Sequence, residues 1–239
     1  MLLDARELDF TVLNNLIKNS NDDCEIINCL GQRFIADGLK NGTVTINGIP
    51  GNALGAYLDG AEIVVKGNAQ DAVGDTMNGG KIIIHGSIGD TAGYAMRGGE
   101  IYIKNNAGYR AGIHMKEYKA KKPVIVIGGR TGSFLGEYQA GGLIIVLGRN
   151  TDGKPTVGNF PCTGMHGGKM ILRGSLDGIK FPQNVNLRDA DEGDMEEAMP
   201  FLLNYCNYFG VETDELIGEK FTVITPDSEK PYKQMYVAN

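Results

Sequence analysis

A nineteen-residue echo constrains this chain more than any other feature. Residues 79–105 read GGKIIIHGSIGDTAGYAMRGGEIYIKN, in which a glycine pair and an isoleucine-rich run return as GGEIYIKN. Stepping from Gly55 gives Gly74, Gly93, Gly112, Gly136 and then Cys162, three steps of nineteen residues followed by steps of twenty-four and twenty-six. Four residues before each anchor stand Gly51, Gln70, Gly89, Gly108, Gly132 and Gly158. Three residues after it stand Leu58, Met77, Met96, Met115, Gln139 and Met165; five after it stand Gly60, Gly79, Gly98, Glu117, Gly141 and Gly167. The frame G-x3-G-x2-[LM]-x-G therefore recurs six times, and each copy leads into a short β-rich run such as AEIVVKG, GKIIIHG or GLIIVLG. GTVTING at 42–48 precedes the first copy, and CEIINCLG at 24–31 stands as a candidate outermost run.

A unit of about nineteen residues cannot bury its own apolar face and must stack on its neighbours. The leucine-rich horseshoe frame L-x-x-L-x-L-x-x-N is absent, whereas glycines fall between extended runs, where φ > 0 or close backbone approach is required. The spacing predicts an all-β fold, a right-handed parallel β-helix of about seven coils whose strands pair in parallel about 4.8 Å apart. Met77, Met96 and Met115 then form an interior ladder; a redox or metal column is the alternative, but buried packing suits flexible thioethers better. The departures at Gln70, Glu117 and Cys162 from the glycine columns predict local changes of corner shape.

Register places the extra residues in KEYKAKK at 116–122 and RNTDGKP at 149–155, both polar insertions. They are tolerated bulges or docking surface, and Lys116, Glu117, Arg149 and Asp152 are the docking candidates. The ends do not repeat. Leu8, Val12, Leu13, Leu16 and Ile17 have helical spacing and predict a helix over 7–18 that covers the first open coil. A second helix is expected over 194–209, stopped by Gly210, with Pro200 kinking it or starting a new segment. The strand EKFTVITP and a polar tail containing Pro226 and Pro231 then cap the last coil or link to a partner. The expected organisation is an N-terminal helical cap over 1–22, the β-helix over 23–180, and a C-terminal helix, strand and tail over 181–239.

The net charge of −6 argues against a duplex-binding surface, which needs cations to displace counterions. MLLDARELDF interrupts any leader with charges, and no run reaches the roughly 18 apolar residues of a membrane span, so a cytoplasmic protein is expected. Cys24, Cys29, Cys162 and Cys206 form no CxxC pair, consistent with reduced thiols. GGRTGSFLG at 128–136 lacks GxxxxGK[ST] and any GxGxxG opening a helix, and its glycines belong to the repeat. Cys162 and His166 offer a nucleophile and base, or half a metal site, but no third partner; His85 and His114 sit at other offsets. Tyr94, Tyr102, Tyr109 and Tyr138 occupy different offsets and do not predict a sugar-binding ladder. The acids Glu62, Asp71, Asp75, Asp90 and Glu100 are too scattered for a glycosidase pair.

GDTMNGGKIIIHG and GYAMRGGEIYIKN, repeated in register over residues 9–174, resemble the carboxy-terminal GXGXG β-helix domain of the glutamate synthase large subunit. The β-helical subunit of formylmethanofuran dehydrogenase is a weaker likeness. The resemblance implies a free-standing version of that domain: a structural subunit with no catalytic, cofactor-binding or metal-binding residue of its own. FMN and iron–sulfur clusters are then expected in an FMN-binding synthase subunit, and the catalytic cysteine in an amidotransferase-like subunit, with self-association also open. The competing expectation is a β-helix acting alone, with a ligand site at the insertion loops around Glu117 and Asp152.

Overall fold

A computed structural model of the protein describes residues 1–20 and 23–227; Pro231 and the rest of the predicted polar tail lie outside the described residues. The strands are β1 (Leu2–Asp4), β2 (Cys24–Leu30), β3 (Thr43–Ile49), β4 (Asp59–Val65), β5 (Asn78–Ile84), β6 (Gly98–Ile103), β7 (Val124–Ile127), β8 (Ala140–Val146), β9 (Gly167–Arg173), β10 (Val185–Asp189) and β11 (Phe221–Pro226). The helices are α1 (Phe10–Asn19), α2 (Glu192–Phe209) and α3 (Thr213–Ile217). All the strands join one sheet in the order β1-β2-β3-β4-β5-β6-β7-β8-β9-β11-β10, parallel from β1 to β9. β2 to β9 are the repeating strands and the anchor positions are the corners between them, so the β-helix has about eight turns, one more than the spacing predicts.

Register follows the period. Ile63, Ile82, Ile101, Ile125, Ile144 and Met170 are successive partners across β4 to β9, and all are fully buried. Leu58, Met77, Met96, Met115 and Met165 fill the column behind the corners with almost no exposure. Each such side chain contributes roughly 1.5–3 kcal/mol by leaving water, which is how a coil too small to fold alone becomes stable in a stack.

The corner glycines serve this packing in two ways. Gly93 has φ +65°, and a Cβ there would stand 2.5 Å from Ile125 Cδ1 of the following coil. Gly89 has ordinary backbone, but a Cβ would stand 1.9 Å from Asp71 Oδ1, the carboxylate that accepts from Asp90 N at 2.9 Å. Asp90 Oδ1 accepts in the same way from Tyr109 N at 2.7 Å, so side-chain acceptors of one coil satisfy N–H groups of the next.

The expected change of shape at Cys162 does not occur: its φ of +60° matches the +63° of Gly136. It can carry a side chain because no further coil of the repeat follows to send an aliphatic residue into that space. Sγ instead lies 3.9 Å from Met170 Sδ.

The ends are closed differently. At the start, Asp9 caps α1 by accepting from Thr11 N at 2.8 Å, and Leu13 and Ile17 pack on the first coil. Buried Asn14 Oδ1 accepts from Ala36 N at 2.9 Å, supplying the partner that a preceding coil would have offered. At the far end the chain reverses: β11 pairs antiparallel with β9, and β10 antiparallel with β11.

Helix α2 lies across the outer sheet face, where Ala198, Leu202, Tyr205, Cys206 and Phe209 pack with Ile83, Tyr102, Val126, Ile145 and Ile171. Pro200 neither breaks it nor starts a second segment; one helix runs from Glu192 to Phe209. Packing along that face and the capping box between Asp191 and Asp194 hold the helix despite the missing N–H. Lys169 Nζ, reaching out from β9, sits 2.6 Å from Asp194 and 2.7 Å from Glu197, and Arg188 also pairs with Asp194.

Candidate functional site

The insertions form two separate surfaces. Residues 117–122 make a small hairpin in which Tyr118 and Lys121 exchange backbone hydrogen bonds of 3.1 and 3.0 Å. It is strapped down by Lys121 on Asp59 at 2.9 Å and by Lys122 on Glu197. Glu117 Oε1 accepts from Gly142 N at 3.0 Å, and Lys116 is exposed beside it.

Residues 149–155 follow β8 and carry positive φ at Asn150, Asp152 and Gly153. Arg149 Nη2 pairs with Glu215 of α3 at 2.7 Å, while Asp152 faces solvent. One loop leads into the N-terminal end of β7 and the other leaves the C-terminal end of parallel β8. They stand at opposite ends of these neighbouring strands, so Glu117 and Asp152 do not share a site. Beside Arg149 is a polar cavity of about 380 Å³, lined by Ser87, Lys104, Asn105, Asn106 and Phe209 among others.

The chemistry-bearing candidates are dispersed. Cys162 is fully buried, and burial pushes its thiol up to about 12. Its sulfur turns into the core, whereas His166 Nδ1 lies 3.0 Å from Gly164 O. His85 packs edge-on against Phe209 at 5.3 Å, and burial, then the nearby charges of Lys66 and Lys104, lowers its pKa. Among the described residues no group of three or more His, Cys, Asp or Glu side chains is gathered as a metal ion requires.

One outer surface is built from aromatic residues other than tyrosine alone. Ala36, nineteen residues before Gly55, is the corresponding corner of the preceding coil and the first of seven. Two residues before these corners stand Phe34, Ala53, Ala72, Thr91, Arg110, Phe134 and Phe160; two after them stand Gly38, Tyr57, Thr76, Ala95, His114, Tyr138 and Gly164. All of these have positive φ. Tyr138 stacks on His114 with centroids 5.2 Å apart, Phe134 on Phe160 at 5.3 Å, and the Arg110 guanidinium lies 4.8 Å from the Phe134 centroid. The sequence does carry the signal: His114 and Tyr138 share the offset of two from Gly112 and Gly136. Both ladders face outward, so the corner surface is aromatic although the corner core is aliphatic.

The frame that builds these corners is also what the comparisons detect. The model of the GXGXG motif family matches residues 13–228. The chain belongs to the GXGXG motif family. Similar to this GXGXG protein is an uncharacterized protein of Methanocaldococcus jannaschii, 40% identical over 99% of this chain and 96% of that one. Among solved structures, a chain of the formyltransferase/hydrolase complex from Methylorubrum extorquens, solved in complex with methylofuran, is similar to it in fold. Its TM-score is 0.64 at 20% identity, over 91% of this chain and 88% of that one. Among the described residues, no helix of the GXGXG chain is long and apolar enough to cross a membrane.

Proposed function

We propose that this protein is a non-catalytic scaffold subunit of a split glutamate synthase-type oxidoreductase, serving glutamate biosynthesis and ammonia assimilation. It holds a glutamine amidotransferase chain against a chain that carries FMN and iron–sulfur clusters. The observation that carries this reading is the use made of the repeat: its glycines and inward side chains are consumed by coil-to-coil packing. The outward polar groups are spread over a long rigid surface, as a spacer between larger bodies requires. The GXGXG frame over residues 13–228 supports the same reading. The strapped hairpin at Lys116 and Glu117 and the loop at Arg149 and Asp152, at opposite ends of the strands, are the contacts proposed for two different partners.

A second reading keeps the scaffold role and changes the assembly to one of the formyl-transferring kind, favoured by the fold likeness over 91% of the chain. Affinity-tagging the native protein and identifying what co-purifies in fixed stoichiometry tests both. Amidotransferase-like and flavin-containing chains are expected on the first reading, and formyltransferase-like chains on the second. A purified single chain that binds stoichiometric flavin overturns both.

A further inference from the structure

Charge is segregated along the β-helix. Residues 1–90 contain 6 Lys and Arg against 12 Asp and Glu, whereas residues 91–180 contain 13 against 5. The acidic C-terminal segment offsets some of those cations from the side, at Lys122, Lys169, Arg149 and Arg173. On the corner face Asp71 and Asp75 lie near the third corner and Arg110 and Lys116 near the fifth, where Arg110 Nε also pairs with Glu137 Oε2 of its own chain at 3.0 Å.

Exposed aromatic residues line the same face at its middle and towards both ends. Phe34 and Tyr57 belong to the first two corners, Tyr94 to the fourth, and Tyr138 and Phe160 to the last two, with exposures from 39% to 62%. Seven corners stacked at about 4.8 Å make a face roughly 29 Å long, comparable with the reach of a modest protein interface.

We propose that two copies of the chain pair through this face, antiparallel, about a two-fold axis that lies in the face and crosses it at the fourth corner. Such an axis inverts the order of the corners and keeps each column opposite itself. Phe34 then meets Phe160 of the second copy, and Tyr57 meets Tyr138. Ala53 leaves the space that Phe134 fills, and Ala72 the space for Arg110. Asp71 of the third corner comes beside Arg110 of the fifth. Each contact is made twice. Aromatic residues meet aromatic residues at both ends, small meet large at Ala53 and Ala72, and Asp71 lies beside Arg110, while Asp90 at the axis faces its own copy. The inference stands on this face alone and is independent of which enzyme the scaffold serves.

Sedimentation equilibrium of the full chain across a concentration series, at low and at high salt, reads the proposal directly. The expected result is a monomer–dimer equilibrium with no higher species, weakened by salt because the flanking contacts are ionic. Tyr94→Cys, at the axis, is expected to form an intermolecular disulfide within the dimer under mild oxidation. Asp71→Lys and Arg110→Asp should each weaken pairing at least about tenfold, and the two changes in one chain should restore it. Tyr57→Arg supplies an independent disruption where the Asp71 change lowers the melting temperature, since Asp71 also accepts from Asp90 N. A chain that stays monomeric throughout overturns the proposal. So does a dimer that ignores Tyr57→Arg and the charge swap and forms no disulfide through position 94.

Discussion

The phenol ring of Tyr138 lies over the imidazole of His114, with centroids 5.2 Å apart and planes 8° from parallel. On the other side of the tyrosine is Gly164, where a Cβ would stand 2.4 Å from Tyr138 Cδ1. With φ +67°, that position is strained for any side chain. Gly164→Ala is therefore expected to cost about 1–3 kcal/mol and to alter the near-ultraviolet circular dichroism of the displaced ring. Denaturant unfolding of the variant, with unchanged stability and spectrum, is the contrary result.

Gln139 occupies the methionine column and is fully buried. Its Nε2 donates to Gly141 O and Gly142 O at 3.2 Å, but Oε1 has no hydrogen-bond partner. Gln139→Met removes that unpaired acceptor and restores the pattern of Met115 and Met165. A gain of about 1 kcal/mol in unfolding free energy is expected. A loss of similar size would show that the two donor contacts outweigh the unpaired acceptor.

The Asp194 carboxyl is held far below the usual carboxylate range, first by hydrogen bonds from Arg188 and then by Lys169, against a burial that pushes it up. A depressed carboxyl stabilises the fold fully above its unfolded value of about 3.9 and loses that contribution as pH falls below it. Thermal melts of the wild type should decline steeply below about pH 4. Asp194→Asn should be weaker by about 3 kcal/mol at neutral pH and should show a flatter acid limb. Equal slopes for the two proteins would place the acid sensitivity elsewhere.

The four cysteines are all buried. Burial raises the Cys29 thiol to about 11 and the Cys162 thiol to about 12. Native protein at pH 8 is expected to resist alkylation, and unfolded protein to label at every cysteine, as intact mass would record. Rapid native labelling at Cys162 would reopen its reading as a nucleophile.

The period makes the solenoid legible because stacking forces one residue type into one column: Ile82, Ile101 and Ile125 repeat since each must lie on the last. What lacks a period lacks a signal. β10, at Val185–Asp189, has a burial pattern with a single buried residue, and its partner β11 lies more than thirty residues downstream. Pro200 reads locally as a breaker, yet the sheet face beneath α2 outweighs the local preference. The aromatic ladders are encoded at constant offsets from the glycine anchors. They are hidden because a stack can be built from His114 and Tyr138 as readily as from two tyrosines.

The reversal of strand direction between β9 and β11 makes the far end of the stack a stop, since an antiparallel strand offers no bed for another parallel coil. Away from α2, which bridges β5 to β9, and from the Lys121 strap to Asp59, each coil touches little beyond its two neighbours. Length is therefore quantised: loss or duplication of one nineteen-residue unit would shift the two ends by a single step of about 4.8 Å and leave both closures intact. A chain built this way is a gauge block, and its descendants can change the distance they set only in whole increments.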